Sequence, residues 1–88
     1  MKALKITDKV LTLKTFEKVV QMRHKEFKTD DTDVLALQFM LDCRSINNVP
    51  IELSSEFFRI YGNDGLLSQS KAARNFVHYV LHGEKLYN

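Results

Sequence analysis

Helix-breaking residues are scarce in this chain, and this scarcity limits the folds that it can adopt. The 88 residues include only three glycines and one proline. Sheet-rich folds need many turns and usually contain more of both residue types, whereas long helices need few. Apolar residues make up 44% of the chain, which is enough for one core and too much for a disordered chain. The sequence therefore predicts a single, mostly helical domain.

Two segments, 13–27 and 69–82, have apolar residues on one side only. At the helical repeat of 3.6 residues, each segment collects its apolar side chains on one face. These side chains are Leu13, Phe16, Val20 and Phe27 in the first segment and Ala72, Ala73, Phe76, Val77 and Val80 in the second. Ser68 or Ser70 can cap the second helix at its start, and Gly83 can end it. Both segments are predicted to be helices.

The segment 50–61 permits two interpretations. Pro50 suits the first turn of a helix and Gly62 suits a C-terminal cap, which together predict a helix between them. The aromatic and β-branched residues before Gly62 are also good strand formers, and 63–65 reads Asn-Asp-Gly, which is typical of a hairpin turn. The predicted fold is all-α, an irregular bundle of about four helices. The alternative is α+β with a small hairpin near 56–67.

The segment 31–46 is predicted to form a helix that is apolar on nearly all sides. Aspartates cluster at its start, where negative charge is favoured. Its short polar stripe consists of Gln38, Asp42 and Ser45. Such a helix lies at the centre of a fold or meets a partner, and we predict the central position. Because its apolar residues do not all fit one small core, some are also expected to form an interface. The candidate interface residues are Leu35, Phe39 and Met40.

Residue types that carry out chemistry are present, but not in the arrangements that catalysis or metal binding needs. Cys43 has no second cysteine to pair with, and it lies on the apolar side of its helix, where we expect a small buried side chain. His78 and His82 are spaced to reach one metal ion, but the glutamate of the zinc-protease motif is missing and nothing places a third ligand. No glycine-rich phosphate loop occurs. The sequence predicts a protein that is not an enzyme and that holds no cofactor and no metal.

Charge is segregated along the chain, although the net charge is only +2. Residues 1–28 contain eight Lys or Arg against three Asp or Glu, whereas residues 29–66 contain two against seven. This asymmetry indicates charged partners or self-association. The first basic helix face, named here the lysine ridge, consists of Lys14, Lys18, Lys25 and Lys28. The second polar and basic face consists of Lys71, Arg74, Asn75, His78 and His82.

One short stretch is similar to a known family. Residues 12–20, together with Glu26 and Phe27, resemble a segment of the Hha/YmoA family, which comprises small all-helical bacterial modulators that bind nucleoid-associated proteins. The connection from Arg44 to Pro50 is shorter than in that family, and residues 60–88 have no counterpart there. We attribute the similarity to amphipathic helix patterning and take neither fold nor function from it.

Binding is the kind of function that remains. The first hypothesis is a non-catalytic regulatory, adaptor or inhibitor protein that binds another protein or a second copy of itself. The alternative is a nucleic-acid-binding protein that uses the basic helix faces, Arg74 and Asn75 being residue types that read bases. No small-molecule substrate is indicated. Because no apolar run is long enough for a signal peptide or a membrane span, we expect a cytoplasmic protein without a membrane partner.

Overall fold

The computed structural model describes residues 12–44 and 53–88, and within them the chain forms four helices. The helices are α1 (Leu13–Phe27), α2 (Thr32–Arg44), α3 (Ser55–Ile60) and α4 (Gln69–His82). The two described stretches contain no strand, so the all-α prediction is confirmed and the α+β alternative is wrong. α2 packs most extensively against α4 and also contacts α1, in keeping with the central position predicted for it.

Polar side chains cap the N-terminal ends of these helices. Each cap accepts a hydrogen bond from a backbone N–H of the first turn, which the helix itself cannot pair. The caps are Thr12, Asp31, Ser54 and Ser68. α1 and α4 end where the next residue, Lys28 or Gly83, adopts a left-handed conformation. Both helices occupy their predicted ranges, and α2 begins one residue later than predicted because Asp31 caps it.

The segment after α3 shows why the hairpin alternative fails. Asn63, Asp64 and Gly65 have φ values of 51°, 56° and 89°, as their turn-forming residue types favour. They reverse the chain after a helix, not between strands, and the N–H of Leu67 donates to the carbonyl of Gly62 at 3.0 Å. The helix predicted over 50–61 begins later than predicted, at Ser55, because Ser54 is extended and caps it. The predicted end of α2 at residue 46 lies outside the described residues.

An aromatic cluster at the centre of the core joins the four helices. Phe57 of α3 is completely buried, and its ring centroid lies 6.0 Å from that of Phe16, 5.9 Å from that of Phe39 and 5.2 Å from that of Phe76. These three rings come from α1, α2 and α4 respectively. Edge-to-face and offset pairs of this kind stabilise beyond the area they bury. The shortest of the described helices therefore supplies the ring on which the other three described helices converge.

Candidate interaction surfaces

The side chains predicted to form an interface on α2 lie in or against the core. Leu35 and Phe39 are each 1% exposed, and Met40 is partly buried against the same cluster. These residues therefore stabilise the fold of the single chain, and a partner cannot reach the first two. The expectation of an exposed apolar face at Leu35, Phe39 and Met40 is corrected accordingly, because these side chains face the core of the same chain.

A buried ion pair lies on the inward side of α2. Arg23 of α1 is 4% exposed, and its Nε and Nη2 donate to Oδ2 and Oδ1 of Asp42, each at 3.0 Å. Nε2 of Gln38 donates to Oδ1 of Asp42 at 2.8 Å, and Nη1 of Arg23 donates to Oε2 of Glu26 at 2.9 Å. Hydrogen bonding to Asp42 raises the pKa of the Arg23 guanidinium above its ordinary value. The predicted polar stripe of α2 thus faces α1; its third member, Ser45, lies outside the described residues.

Because the polar side of α2 is turned inward, an apolar side is turned outward. Val34, Leu37 and Leu41 are 45%, 62% and 49% exposed. Their spacing of three and four residues places them in one row along the helix; we name this row the α2 stripe. Single exposed apolar residues are common on protein surfaces, but a contiguous row marks an interaction site more often.

The two ends of the α2 stripe carry opposite charges. Asp31 and Asp33 are exposed at its N-terminal end, and Arg44 is exposed at its C-terminal end. Oδ1 of Asp31 accepts from the N–H groups of Asp33 and Val34, at 2.9 and 3.2 Å. Asp33 pairs with Arg74 of α4, with 3.1 Å between Oδ1 and Nε. Within the described part of the chain, no carboxylate forms an ion pair with Arg44.

The lysine ridge is exposed along its whole length. Lys14, Lys18 and Lys25 lie on the side of α1 that faces away from the core, and Lys28 follows the helix end. None of these lysines forms an ion pair with a carboxylate of residues 12–44 or 53–88. The ridge therefore concentrates positive charge that the neighbouring described residues do not neutralise.

The second basic face is occupied by contacts within the chain. Arg74 holds Asp33, Nζ of Lys71 lies 5.7 Å from the ring centroid of Tyr87, and Nδ1 of His78 donates to the carbonyl of Glu84 at 2.8 Å. Since a carbonyl can only accept, Nδ1 of His78 carries the proton. These side chains connect α4 to α2 and to the segment after Gly83, so they form no continuous free surface.

Asn75 belongs to the interior and not to the polar face on which its sequence position suggested it would lie. Its side chain is completely buried, and Nδ2 donates to the carbonyls of Tyr61 and Tyr87 at 2.8 and 3.1 Å. Oδ1 accepts from the N–H of Tyr87. One carboxamide thus pairs with both backbone groups of a residue twelve positions later, which holds the last described segment against α4. A helix-face pattern cannot reveal such a partner.

Replacing Asn75 with alanine is expected to lower the free energy of unfolding by about 2 kcal/mol. Three hydrogen bonds are lost, but the groups of Tyr87 can turn to water, which limits the cost. Urea denaturation measures the change, and the N–H signal of Tyr87 should lose its protection from hydrogen exchange. Gln69→Ala, which removes an exposed amide from the same helix, is the control. Equal effects of the two substitutions would contradict the structural role of Asn75.

The cysteine and histidines occupy different surroundings. Cys43 is 4% exposed, and burial raises its pKa from 9.0 to about 12, with the nearby Asp42 carboxylate adding to the shift. The rings of His78 and His82 lie side by side, with 4.6 Å between their centroids. Among the described residues, no three His, Cys, Asp or Glu side chains are grouped so that they could hold a metal ion. No described helix is long and apolar enough to cross a membrane.

The thiol of Cys43 is expected to resist modification in the folded protein. A pKa that rises from 9.0 to about 12 lowers the thiolate fraction near pH 8 on the order of 10³-fold, and burial slows access further. Labelling with a chromogenic disulfide reagent should therefore be far slower in buffer than in urea. Equally fast labelling under both conditions would contradict the burial of this side chain.

The same shift predicts a loss of stability at alkaline pH. Above about pH 9 the unfolded chain releases the Cys43 proton while the folded chain keeps it, so the unfolded state binds fewer protons and the free energy of unfolding falls as pH rises toward about 12. Burial also raises the pKa of Tyr61, which acts in the same direction. Denaturation midpoints measured across this range should fall less steeply for Cys43→Ala than for the parent chain.

Comparison with known proteins identifies no relative: the chain matches no protein-family model, no curated protein and no solved structure. The fold therefore defines the class, a small all-helical protein of four described helices. The roles of individual residues follow from their geometry alone.

Proposed function

We propose that this protein is a non-catalytic interaction module that binds a protein chain through the α2 stripe. The observation that carries the proposal is the outward orientation of Val34, Leu37 and Leu41, which are exposed because the polar side of α2 is turned inward to Arg23. A helix face of this kind is suited to receive another apolar helix face. The charged ends of the stripe would orient the partner.

The size of the α2 stripe predicts a weak and reversible complex. Burying an apolar side chain completely contributes about 1.5–3 kcal/mol, and the three residues of the stripe are already half-buried. Stable complexes bury about 800 Å² on each partner, which is more than three half-exposed side chains provide. A partner would therefore contact the flanking polar residues as well, and the exchange between free and bound states should be fast.

Site-specific photocrosslinking tests the proposal directly. A photoreactive phenylalanine derivative is placed at Leu37 in one variant and at Leu66 in another, and both are irradiated in the source cells. Leu66 is a leucine that is 86% exposed and lies outside α2, so it is a matched control. We expect a discrete protein adduct, identified by mass spectrometry, at position 37 only. No adduct at position 37, or the same adducts at both positions, would count against binding through the stripe.

The substitution Leu37→Asp is expected to abolish this adduct formation without unfolding the protein. Here the crosslinker is placed at Leu41, and Leu37→Asp is compared with Leu66→Asp. Because Leu37 is 62% exposed, an aspartate there should change stability by no more than about 0.5 kcal/mol. Thermal melts followed by circular dichroism confirm folding. Persistent crosslinking of the folded Leu37→Asp variant would show that the stripe does not determine binding.

A second candidate function, nucleic-acid binding, is favoured by the exposed lysine ridge. Its lysines have no carboxylate partner in the described residues, so phosphate groups could approach them without displacing an ion pair. Binding of this kind is independent of base sequence. It weakens steeply as the salt concentration rises, because the counterions that the protein releases from the phosphates then gain less entropy. A helix that contacts phosphates only through lysines would not discriminate between bases.

Fluorescence anisotropy with a labelled duplex and a labelled single strand tests this candidate. Titrations at about 50 mM and about 200 mM salt should show affinity that falls with salt, and alanine at all four ridge lysines should remove it. A control variant replaces Lys71 and Lys85, whose Nζ atoms lie over the rings of Tyr87 and Tyr61. No binding at the lower salt concentration, or equal binding by the ridge variant, excludes this function for the ridge.

A further inference from the structure

We propose that the partner of the α2 stripe is the same stripe on a second copy of this chain, with the two α2 helices antiparallel about a two-fold axis. This inference rests on the function proposed above and names the binding partner. It follows from two properties of the described surface: the stripe is complementary to itself, and the charges at its two ends are opposite in sign.

The apolar residues of the α2 stripe match when two copies are placed antiparallel. If the two-fold axis passes beside the middle of the stripe, Val34 of one helix lies opposite Leu41 of the other, and the two Leu37 side chains meet near the axis. A smaller side chain then packs against a larger one at both ends, and the most exposed residue of the stripe, Leu37 at 62%, occupies the centre. A two-fold interface requires a surface that is complementary to itself in this way.

The charged residues match in the same register. Asp31 lies three residues before Val34, and Arg44 lies three residues after Leu41. The antiparallel arrangement that places Val34 opposite Leu41 therefore brings Asp31 of each copy close to Arg44 of the other, at both ends of the interface. It also places the positive N-terminal end of each helix dipole near the negative C-terminal end of its partner.

A parallel arrangement of the same stripe is disfavoured by charge. It would place the aspartates of the two copies together at one end and the two Arg44 side chains together at the other. Like charges in contact across an interface disfavour association, whereas complementary charges favour one orientation. Because Arg44 forms no ion pair with a described carboxylate of its own chain, pairing with Asp31 of a second copy would not break an existing ion pair within those residues.

Sedimentation equilibrium tests whether the chain self-associates. We expect the average mass to rise from that of one chain toward that of two as the concentration approaches about 1 mM, the range for weak complexes. Leu37→Asp should remain a monomer at concentrations at which the parent chain and Leu66→Asp associate. Arg44→Glu should weaken association at low salt and lose much of this effect at high salt. A parent chain that stays monomeric throughout overturns the proposal.

Engineered cysteines test the orientation. In a Cys43→Ala background, Val34→Cys and Leu41→Cys chains are oxidised alone and as a mixture. Two Val34 positions in the antiparallel arrangement are about 10 Å apart along the axis, because seven residues rise about 1.5 Å each, and a disulfide needs Cα atoms within about 7 Å. We expect disulfide-linked dimers in the mixture and few in either single sample. Efficient linkage in the single samples indicates a parallel arrangement and overturns this one.

The photocrosslinking result at Leu37 separates the two proposals. An adduct between two copies of this chain supports both of them. An adduct with a different protein, together with a monomeric parent chain, supports an interaction module and overturns the second copy as its partner. Absence of any protein adduct at position 37 overturns both.

Discussion

Replacing Arg23 with alanine is expected to lower the free energy of unfolding by about 3–5 kcal/mol, because Asp42 is left as a buried carboxylate without its cation. Small domains are stable by roughly 5–15 kcal/mol, so this variant should be close to unfolding at ambient temperature. The loss includes the two hydrogen bonds of 3.0 Å that connect α1 to α2. Urea denaturation followed by circular dichroism measures the change.

Arg59→Ala is the matched control for this prediction. Arg59 also pairs with a carboxylate, that of Glu56, but the two atoms are 3.9 Å apart and both side chains are more than half exposed. Exposed pairs of this kind contribute about 0–1 kcal/mol. The double substitution Arg23→Met and Asp42→Leu should lower the free energy of unfolding much less than Arg23→Ala alone, since it leaves no unpaired buried charge at this position. If Arg23→Ala and Arg59→Ala lower the free energy of unfolding by comparable amounts, the burial of the Arg23–Asp42 pair does not determine how much it contributes to stability.

Replacing Phe57 with alanine is expected to lower the free energy of unfolding by about 3–5 kcal/mol, because it opens a cavity among rings from α1, α2 and α4. Phe57 is completely buried and adjoins Phe16, Phe39 and Phe76. Since each of the other helices packs a ring against it, the variant should lose tertiary order in all four helices together. Near-ultraviolet circular dichroism and urea denaturation report this loss.

The neighbouring phenylalanine provides the control. Phe58 is only partly buried, and its ring adjoins that of Phe57 from the edge of the cluster. Phe58→Ala should therefore cost clearly less than Phe57→Ala, although the two residues have the same size and the same helix propensity. If both substitutions cost the same, the central position of Phe57 in the core is not what stabilises the fold.

Much of the fold could be predicted from the sequence because helix formation depends on local patterns. The one-sided apolar periods of α1 and α4 and their terminal capping residues lie within about 16 residues, so the ranges 13–27 and 69–82 agree with the structure. The predicted start of α2 is one residue too early, because Asp31 is the cap of the helix and not its first residue. The sequence left two alternatives near 56–67, a helix or a hairpin, because the same turn residues can follow either a helix or a strand.

The candidate site could not be predicted because it depends on partners that are distant in sequence. Gln38 and Asp42 have the polar character of a solvent-facing stripe, and nothing near them in the chain indicates that Arg23, nineteen residues before Asp42, will be buried against them. With Gln38 and Asp42 on the inward side, Leu35 and Phe39 are buried and the exposed apolar side chains are those of the α2 stripe. Asn75 presents the same problem, since its partners are the backbones of Tyr61 and Tyr87.

The packing of α2 determines which of its sides faces solvent. Turning α2 by one residue step, about 100°, would bring Leu37 toward the core and gain at most about 1.5–3 kcal/mol. The same turn would carry Leu35 or Phe39, each 1% exposed, toward solvent and would also separate Arg23 from Asp42. Burial of one large apolar side chain is thus exchanged for exposure of another, and the ion pair is lost as well, so the turn does not lower the free energy. The interior of this small domain therefore leaves an apolar row of α2 exposed to solvent.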